Sequence, residues 1–454
     1  MKLRRTGATC GKLKPAPVAR DSSNEIELPS KIGRYDIRAK LADGGMATIY
    51  VGRLAGPAGF ERLVAIKVIK PEFSAEKSFT NMFLDEARIA AKLSHPSIVQ
   101  VHELGEDESG PNKRLFLAME LLFGESLWDV WYVAQRAGAI PFDIAAWIGA
   151  RVAEGLYHAH ELKDASGTRQ NVIHRDINPS NLFVTYDGQV KIIDFGLAKA
   201  KNRITDTGLG VLKGKVAYMA PEQTRAAKDI DHRADIFALG TTLYELTTNR
   251  RLFKRKDNVT TLTAVSEARV PDPAQIVPDY PPALWAVLKK ALAKSRDDRY
   301  ATAQEFANAL DGFAQSQGRV VSSSTVAKFM EDLFGDQRER YSTFLEDVRS
   351  SEKPIVGETF RPPPANADEN AEIVGVSPPS DDDRKKPDAT TATEPLTNPR
   401  PDPYAPPSKE DEAKSEALAA TEREVKESRR LWLWALVFLA LGGGTIWYVL
   451  HSMS

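Results

Sequence analysis

Three residues define the chemistry to look for. In the run His174-Arg175-Asp176-Ile177-Asn178-Pro179-Ser180-Asn181, followed by Asp194-Phe195-Gly196, the carboxylates of Asp176 and Asp194 and the carboxamide of Asn181 fall within 19 positions. Asp176 can orient a hydroxyl and accept its proton. Asn181 and Asp194 offer oxygen ligands suited to a hard, octahedral cation such as Mg2+, held against phosphate oxygens. Upstream, Val64-Ala65-Ile66-Lys67 sets a lysine inside an apolar strand. A buried ammonium is costly unless paired, and Glu86, on the next helical stretch, is the natural partner. A lysine snorkelling from a strand edge is the competing reading. Further upstream, Leu41-Ala42-Asp43-Gly44-Gly45-Met46-Ala47-Thr48-Ile49 is a glycine-rich hairpin whose backbone amides can approach phosphates closely. Ala42 and Ala47 stand at two positions of the full G-x-G-x-x-G pattern.

The elements that must position these residues change character along the chain. From Tyr35 the pattern is strand-like: 35–38, 47–51 and 63–69, with Gly56-Pro57-Ala58-Gly59 as the hairpin between the last two. Ser78–Leu93 has apolar residues at near-helical spacing. Strands are expected at Ile98–Leu104 and Arg114–Glu120, separated by a turn-rich 105–112. After Gly124 helices dominate: 126–135, 141–162, 234–248, 282–294 and 303–315, with short strands at 182–184 and 190–193. Two more helices are expected at 325–332 and 337–348.

The chain has 454 residues, enough for a core of one large catalytic domain plus appendages. Net charge is −1, which argues against nucleic acid held by bulk electrostatics. The only cysteine is Cys10, so an intramolecular disulfide is impossible and a reducing setting fits. The basic start, Met1-Lys2-Leu3-Arg4-Arg5, lacks the apolar run of a secretory signal. Residues 1–32 read as a flexible arm. Residues 351–410, rich in Pro, Asp, Ser and Thr, read as a disordered linker, and 411–430 as a charged juxtamembrane helix. Leu431–Leu450 is an uncharged run with Trp432, Trp434, Trp447 and Tyr448 near its ends, preceded by Lys426, Arg429 and Arg430. Its length and flanks predict a transmembrane helix; a buried core helix is the competing reading. The positive-inside tendency puts the catalytic part in the cytoplasm at the cell membrane.

In type and order these motifs resemble those of the bacterial eukaryotic-like (Hanks-type) serine/threonine protein kinases, over roughly residues 33–315. The membrane-anchored, myxobacterial-type members with one C-terminal span are especially similar. The resemblance implies an α+β, two-lobed kinase fold: a small antiparallel lobe with one helix (33–122), a larger mainly helical lobe (123–315), and a helical extension (316–350). It implies ATP and Mg2+ as cofactors and proteins as substrates. By matching position, Leu41 to Ile49 would cover the phosphates. Ile49 and Ala65 would flank adenine from the small lobe and Phe183 from the large one. Met119 would be the gatekeeper, with Glu120 to Leu122 the hinge. Lys67 would hold the α/β-phosphates and pair with Glu86, Asp176 would be the catalytic base, and Asn181 and Asp194 would ligate magnesium. Glu222 would pair with Arg299, and Asp235 would brace the catalytic loop. Arg175 beside Asp176 belongs with control by loop phosphorylation, for which Thr205 and Thr207 are candidates.

One departure stands out. The family places a lysine two residues after the catalytic aspartate, where this chain has Asn178, and a threonine where it has Lys215. The pair reads as a swap, with Lys215 supplying the missing cation at the γ-phosphate and Asn178 hydrogen-bonding it. The expected activity is therefore ATP- and Mg2+-dependent phosphorylation of protein serine and threonine. A pseudokinase scaffold and a small-molecule phosphotransferase are the competing readings, and a homodimer for trans-autophosphorylation is a further expectation.

Overall fold

The computed structural model describes residues 28–74, 77–108, 113–195, 215–225, 229–351 and 353–355. Its first part is a six-stranded antiparallel sheet, ordered β1-β2-β3-β4-β6-β5. The strands are β1 (Lys31–Ile32), β2 (Tyr35–Asp43), β3 (Ala47–Ala55), β4 (Glu61–Ile69), β5 (Val101–Asp107) and β6 (Arg114–Glu120). Between β4 and β5 lie a short helix α1 (Pro71–Ser74) and the longer α2 (Lys77–Ala90).

Alternation of side chains along the strands gives this sheet two apolar faces. Val64, Ile66 and Val68 of β4 pack with Tyr35, Ile37, Phe116 and Ala118 on one side. Leu115, Leu117, Val101 and Ile69 meet Phe83, Ala87 and Ala90 of α2 on the other. Lys67 is out of phase with Ile66 and Val68, so its side chain falls on the face that α2 covers, opposite Glu86.

The second part is mainly helical: α3 (Leu127–Ala137), α4 (Phe142–His160), α5 (Pro221–Thr224), α6 (Arg233–Thr248), α7 (Asn258–Glu267), α8 (Pro282–Ala291) and α9 (Ala303–Ser316). A three-stranded sheet of β7 (Gly124–Ser126), β8 (Leu182–Thr185) and β9 (Val190–Ile192) lies at its upper edge. Helix α6 is buried from Ala234 to Thr248. Its threonines tolerate this because Thr241, Thr242, Thr247 and Thr248 donate their hydroxyls to the carbonyls of Phe237, Ala238, Leu243 and Tyr244 one turn back. The last helix, α10, runs from Ser323 to Ser350 and is broken at Phe334, whose φ/ψ of −132°/21° is non-helical.

Four expectations are corrected here. Gly105 is in β5, opposite Phe116, and not in a turn. A Cβ there would stand 2.3 Å from the Phe116 ring, so this glycine makes room for an aromatic side chain. Helix α7 has no counterpart in the sequence reading, because Asn258-Val-Thr-Thr-Leu-Thr is rich in β-branched residues that favour strand. Its start is fixed by Asp257, which accepts from Thr260 N. The two helices expected at 325–332 and 337–348 are one kinked helix. Finally, the segment read as a disordered linker from 351 starts attached: Ile355 N donates to Arg38 O at 2.7 Å and pairs with Ala39 of β2 as a parallel bridge. Among the described residues no helix is long and apolar enough to cross a membrane. Leu431–Leu450 lies outside them, as do Thr205 and Thr207.

Candidate active site

A cavity of about 810 Å³ opens between the sheet and the helical part. Its roof is the β2–β3 hairpin, through Ala42, Gly44, Gly45, Met46, Ala47 and Ile49. The hairpin is closed by Gly44 N donating to Ala47 O at 3.0 Å. Lys67, Asn181, Phe183, Asp194 and Lys215 line the interior. Leu41, Asp43, Thr48, Ala65, Glu86, Met119, Glu120, Leu122 and Asp176 are not among the lining residues. Asp43 points to Lys40 and Lys70, at 2.5 and 2.8 Å; burial raises its carboxyl, but these ammonium groups outweigh that and hold it at about 2. Ala65 and Met119 are paired across β4 and β6. The Glu120 carboxylate is engaged by Gln100 N and Lys191 Nζ, at 2.7 and 2.8 Å.

At the back of the cavity Lys67 Nζ sits 2.7 Å from Asp194 Oδ1 and 3.2 Å from Glu86 Oε1. One cation thus serves two carboxylates. Burial raises both carboxyls, but Asp194 is nearer the ammonium and ends below the usual range. Glu86 is nearly fully buried, its Oε2 has no hydrogen-bond partner among the described residues, and burial pushes it up to about 7. Burial opposes the Lys67 charge, yet Asp194 and Glu86 together hold its affinity for the proton above the ordinary value.

Asp176 is held from three sides. Lys215 Nζ is 3.0 Å from its Oδ2, Asn181 Nδ2 donates to its Oδ2 at 3.0 Å and to its carbonyl at 2.7 Å, and Asn178 Nδ2 donates to its Oδ1 at 3.2 Å. Asn178 Oδ1 accepts from Ser180 N at 3.0 Å, so both ends of this carboxamide act within the loop.

The loop itself hangs from α6. Asp235, fully buried, accepts His174 N at 2.8 Å and Arg175 N at 2.7 Å, with His160 Nε2 at 2.9 Å. Burial raises the Asp235 carboxyl, but these hydrogen bonds outweigh it and leave the group below its ordinary range. They also hold Arg175 at φ 66°, and Asp194 stands at φ 60°. Left-handed backbone at non-glycine residues costs about 1–3 kcal/mol each and persists only where surroundings enforce it. The His174 ring packs edge-on against Phe195, centroids 4.7 Å apart, tying the two motifs together. Arg299 and Glu222 form a two-pronged pair at 2.7 and 2.8 Å.

Asn181 and Asp194 face the same cavity and offer a carboxamide and a carboxylate oxygen. That set fits Mg2+, which takes one or two protein ligands and completes its shell with phosphate oxygens and water. Among the described residues no group of three or more acidic, histidine or cysteine side chains gathers to hold a metal unaided.

One lining feature was not anticipated. Residues 331–337 and Arg340, at and after the α10 kink, form part of the cavity wall. The interrupted apolar run Leu333-Phe334-Gly335, with Tyr341 and Phe344 at helical spacing beyond it, was the available signal.

A protein kinase domain model matches residues 35–342, and the chain belongs to that family. Tyrosine-protein kinase MasK of Myxococcus xanthus (strain DK1622) is 43% identical over 314 residues, 69% of this chain and 48% of its own length. Probable serine/threonine-protein kinase CPE1738 of Clostridium perfringens (strain 13 / Type A) is 31% identical over 301 residues, covering 66% and 41%. Serine/threonine-protein kinase PknA of Mycobacterium tuberculosis (strain ATCC 25618 / H37Rv) is 34% identical over 279 residues, 61% of each chain. The chain spans about half the length of the curated relatives it matches. The solved kinase domain of M. tuberculosis PknI aligns at 28% identity with a TM-score of 0.48, over 64% of this chain and all of its own.

Proposed function

We propose that this chain is an active ATP- and Mg2+-dependent kinase that phosphorylates protein serine and threonine and works on the inner face of a cell membrane. The observation that carries this is the pairing of Lys67 with both Glu86 and Asp194, together with a thrice-held Asp176 bonded to Asn181 and Lys215 of the cavity lining. Asp176 takes the proton of the attacking hydroxyl as its oxygen bonds to the γ-phosphorus and the bond to the β-phosphate oxygen breaks. Lys67 holds the α/β-phosphates, and Asn181 and Asp194 hold the metal. Bound Mg2+ would neutralise charge on the phosphate oxygens. Lys215, next to Asp176, stands where its ammonium can meet the transferred phosphoryl group, the task the family gives to a lysine at position 178. Labelled ATP and Mg2+ given to the wild type and to Asp176→Asn test this. Loss of incorporation by about 10²–10⁴-fold in the variant is expected. Equal, background labelling of both would favour the scaffold reading, which Ala42, Ala47 and Asn178 support.

Serine/threonine specificity draws on Pro179-Ser180-Asn181 and on the names of PknA and CPE1738. Tyrosine specificity is the second reading, favoured by the name of MasK. Phosphoamino-acid analysis of the labelled product separates them. Tethering rests on the uncharged Leu431–Leu450 run and the basic residues before it. Protease added to sealed inverted vesicles should digest the kinase domain; full protection would reverse the orientation. Activation by phosphorylation at Thr205 or Thr207, with Arg175 as the cationic partner and a second copy as the enzyme, completes the reading.

A further inference from the structure

Helix α10 makes contacts that a mere tail does not need. At its base, Ser323 O packs where a Cβ on Gly188 would lie at 1.9 Å, so only glycine, here at φ 80°, admits the helix start. At the kink, residues 331–337 enter the wall of the cavity, and Phe334 is buried there. About two turns past the kink, Tyr341 donates its hydroxyl to Leu122 O at 3.3 Å, in the connection between the two parts of the domain. Its ring sits on Phe123, centroids 5.0 Å apart, which in turn packs on Tyr186 at 4.8 Å. In the last turn of the helix, Val348 O accepts from Arg38 Nε at 3.4 Å, and beyond the helix Ile355 N donates to Arg38 O. The segment therefore grips the helical part, the connection and the β-sheet in turn.

We propose that α10 is an integral wall of the nucleotide site: a strap fixed to both lobes that closes the sugar end of the cleft, with Tyr341 as a positioning residue for the hinge. This rests on the nucleotide-binding reading above. With the phosphates at Lys67 and Asp194 and the base between Ile49 and Phe183, the ribose would face the remaining wall of the same cavity, which Ser126, Asp129 and the α10 kink help to line. The Lys67–Glu86 pair is formed with the strap in place. Holding both lobes keeps the binding-competent state populated, and nucleotide affinity scales with that population.

The test uses the full chain and two nucleotides, Mg-ATP and an ATP carrying a bulky group on its 2′/3′ oxygens. Tyr341→Ala and, at the outer anchor, Ile355→Pro are compared with wild type for binding, for KM and kcat, and for melting temperature. The proline removes the amide that bonds Arg38 and also the partly buried Ile355 side chain at the core edge, so melting temperature is read beside affinity. A drop in the competent fraction to about a tenth raises Kd and KM for ATP about tenfold in Tyr341→Ala. A smaller rise is expected for Ile355→Pro, with kcat at saturating ATP retained. Preference for ATP over the ribose-substituted nucleotide narrows in both, because the wall that excludes the added group is loosened. Unchanged ATP affinity with intact discrimination in folded variants overturns the strap, as does tighter ATP binding, which would make α10 an occluding lid. If Tyr341→Ala does not fold, Ile355→Pro decides alone. Wild-type protein that binds no Mg-ATP overturns the functional reading instead.

Discussion

Two of the charge clusters in this domain, around Arg299 and around Lys67, are built differently. Around Arg299 every donor is used: Nε to Ala293 O, Nη1 to Glu222 Oε1 and Arg233 O, Nη2 to Glu222 Oε2 and Lys294 O, all within 3.2 Å. The guanidinium is matched by one carboxylate in fork geometry. Around Lys67 one ammonium is divided between two carboxylates, and Glu86 Oε2 has no hydrogen-bond partner among the described residues. The first cluster is closed and has one arrangement. The second retains unmet acceptor capacity on Glu86, behind the Lys67 and Asp194 side chains that line the cavity. A buried ion pair alone is therefore weak evidence of function; its incompleteness beside a cavity is stronger evidence.

The sharpest way to break the comparison is to open the closed cluster. Arg299→Leu leaves Glu222, whose side chain is 13% exposed, without its cation, which costs up to about 3 kcal/mol. Urea unfolding should show that loss, with activity following the folded fraction. A loss near zero would mean that the pair is not structural. Next in size is Lys215→Ala. It removes one cation beside Asp176 Oδ2, so kcat should fall about 10²-fold while the urea midpoint and ATP affinity stay near wild type. Near-normal turnover would end the idea that Lys215 replaces the family lysine.

How much of this was legible in the sequence differs by the range of the contact. Lys67, Glu86, Asp176, Asn181 and Asp194 were readable as a set because each has a chemical reason for its type and they follow one another in a family order. The strands of the small lobe were readable because alternation is local. Gly105 was misread because its reason is an aromatic ring on the neighbouring strand, not a turn in its own. Helix α7 was missed because burial and an Asp257 cap override the β-branched preference of its threonines. The α10 wall was missed because the partners of Tyr341 and Ile355 lie 219 and 317 positions away, at Leu122 and Arg38. Nothing within a helical window announces such contacts. The swap at Asn178 was half legible: Lys215 does approach Asp176, while both ends of the Asn178 amide are engaged inside the catalytic loop.

The smallest expected effect concerns Glu86 and turns on the direction of proton linkage. Its folded carboxyl is pushed up to about 7 by burial, above the ordinary value of about 4.3 that it has in an unfolded chain. Between those values the folded protein binds a proton that the unfolded chain has released, so stability falls as pH rises through that window. The ionised form, however, is the one that pairs with Lys67 and fixes it for the phosphates. Activity should therefore rise as stability falls. At pH 6, kcat/KM for ATP should be about tenfold below its plateau, reflecting the ionised fraction. Glu86→Gln should flatten both limbs: a carboxamide keeps the shape but neither titrates nor completes the charge pair, so activity is low throughout and the urea midpoint loses its decline between pH 5 and 8. The Glu222–Arg299 cluster provides the control. Glu222→Gln breaks one prong of the Arg299 fork and should lower the urea midpoint without touching Lys67 or the cleft. Parallel slopes for Glu86→Gln and wild type would show that the cleft carboxylate is as firmly paired as the closed one, and the distinction between the clusters would fail.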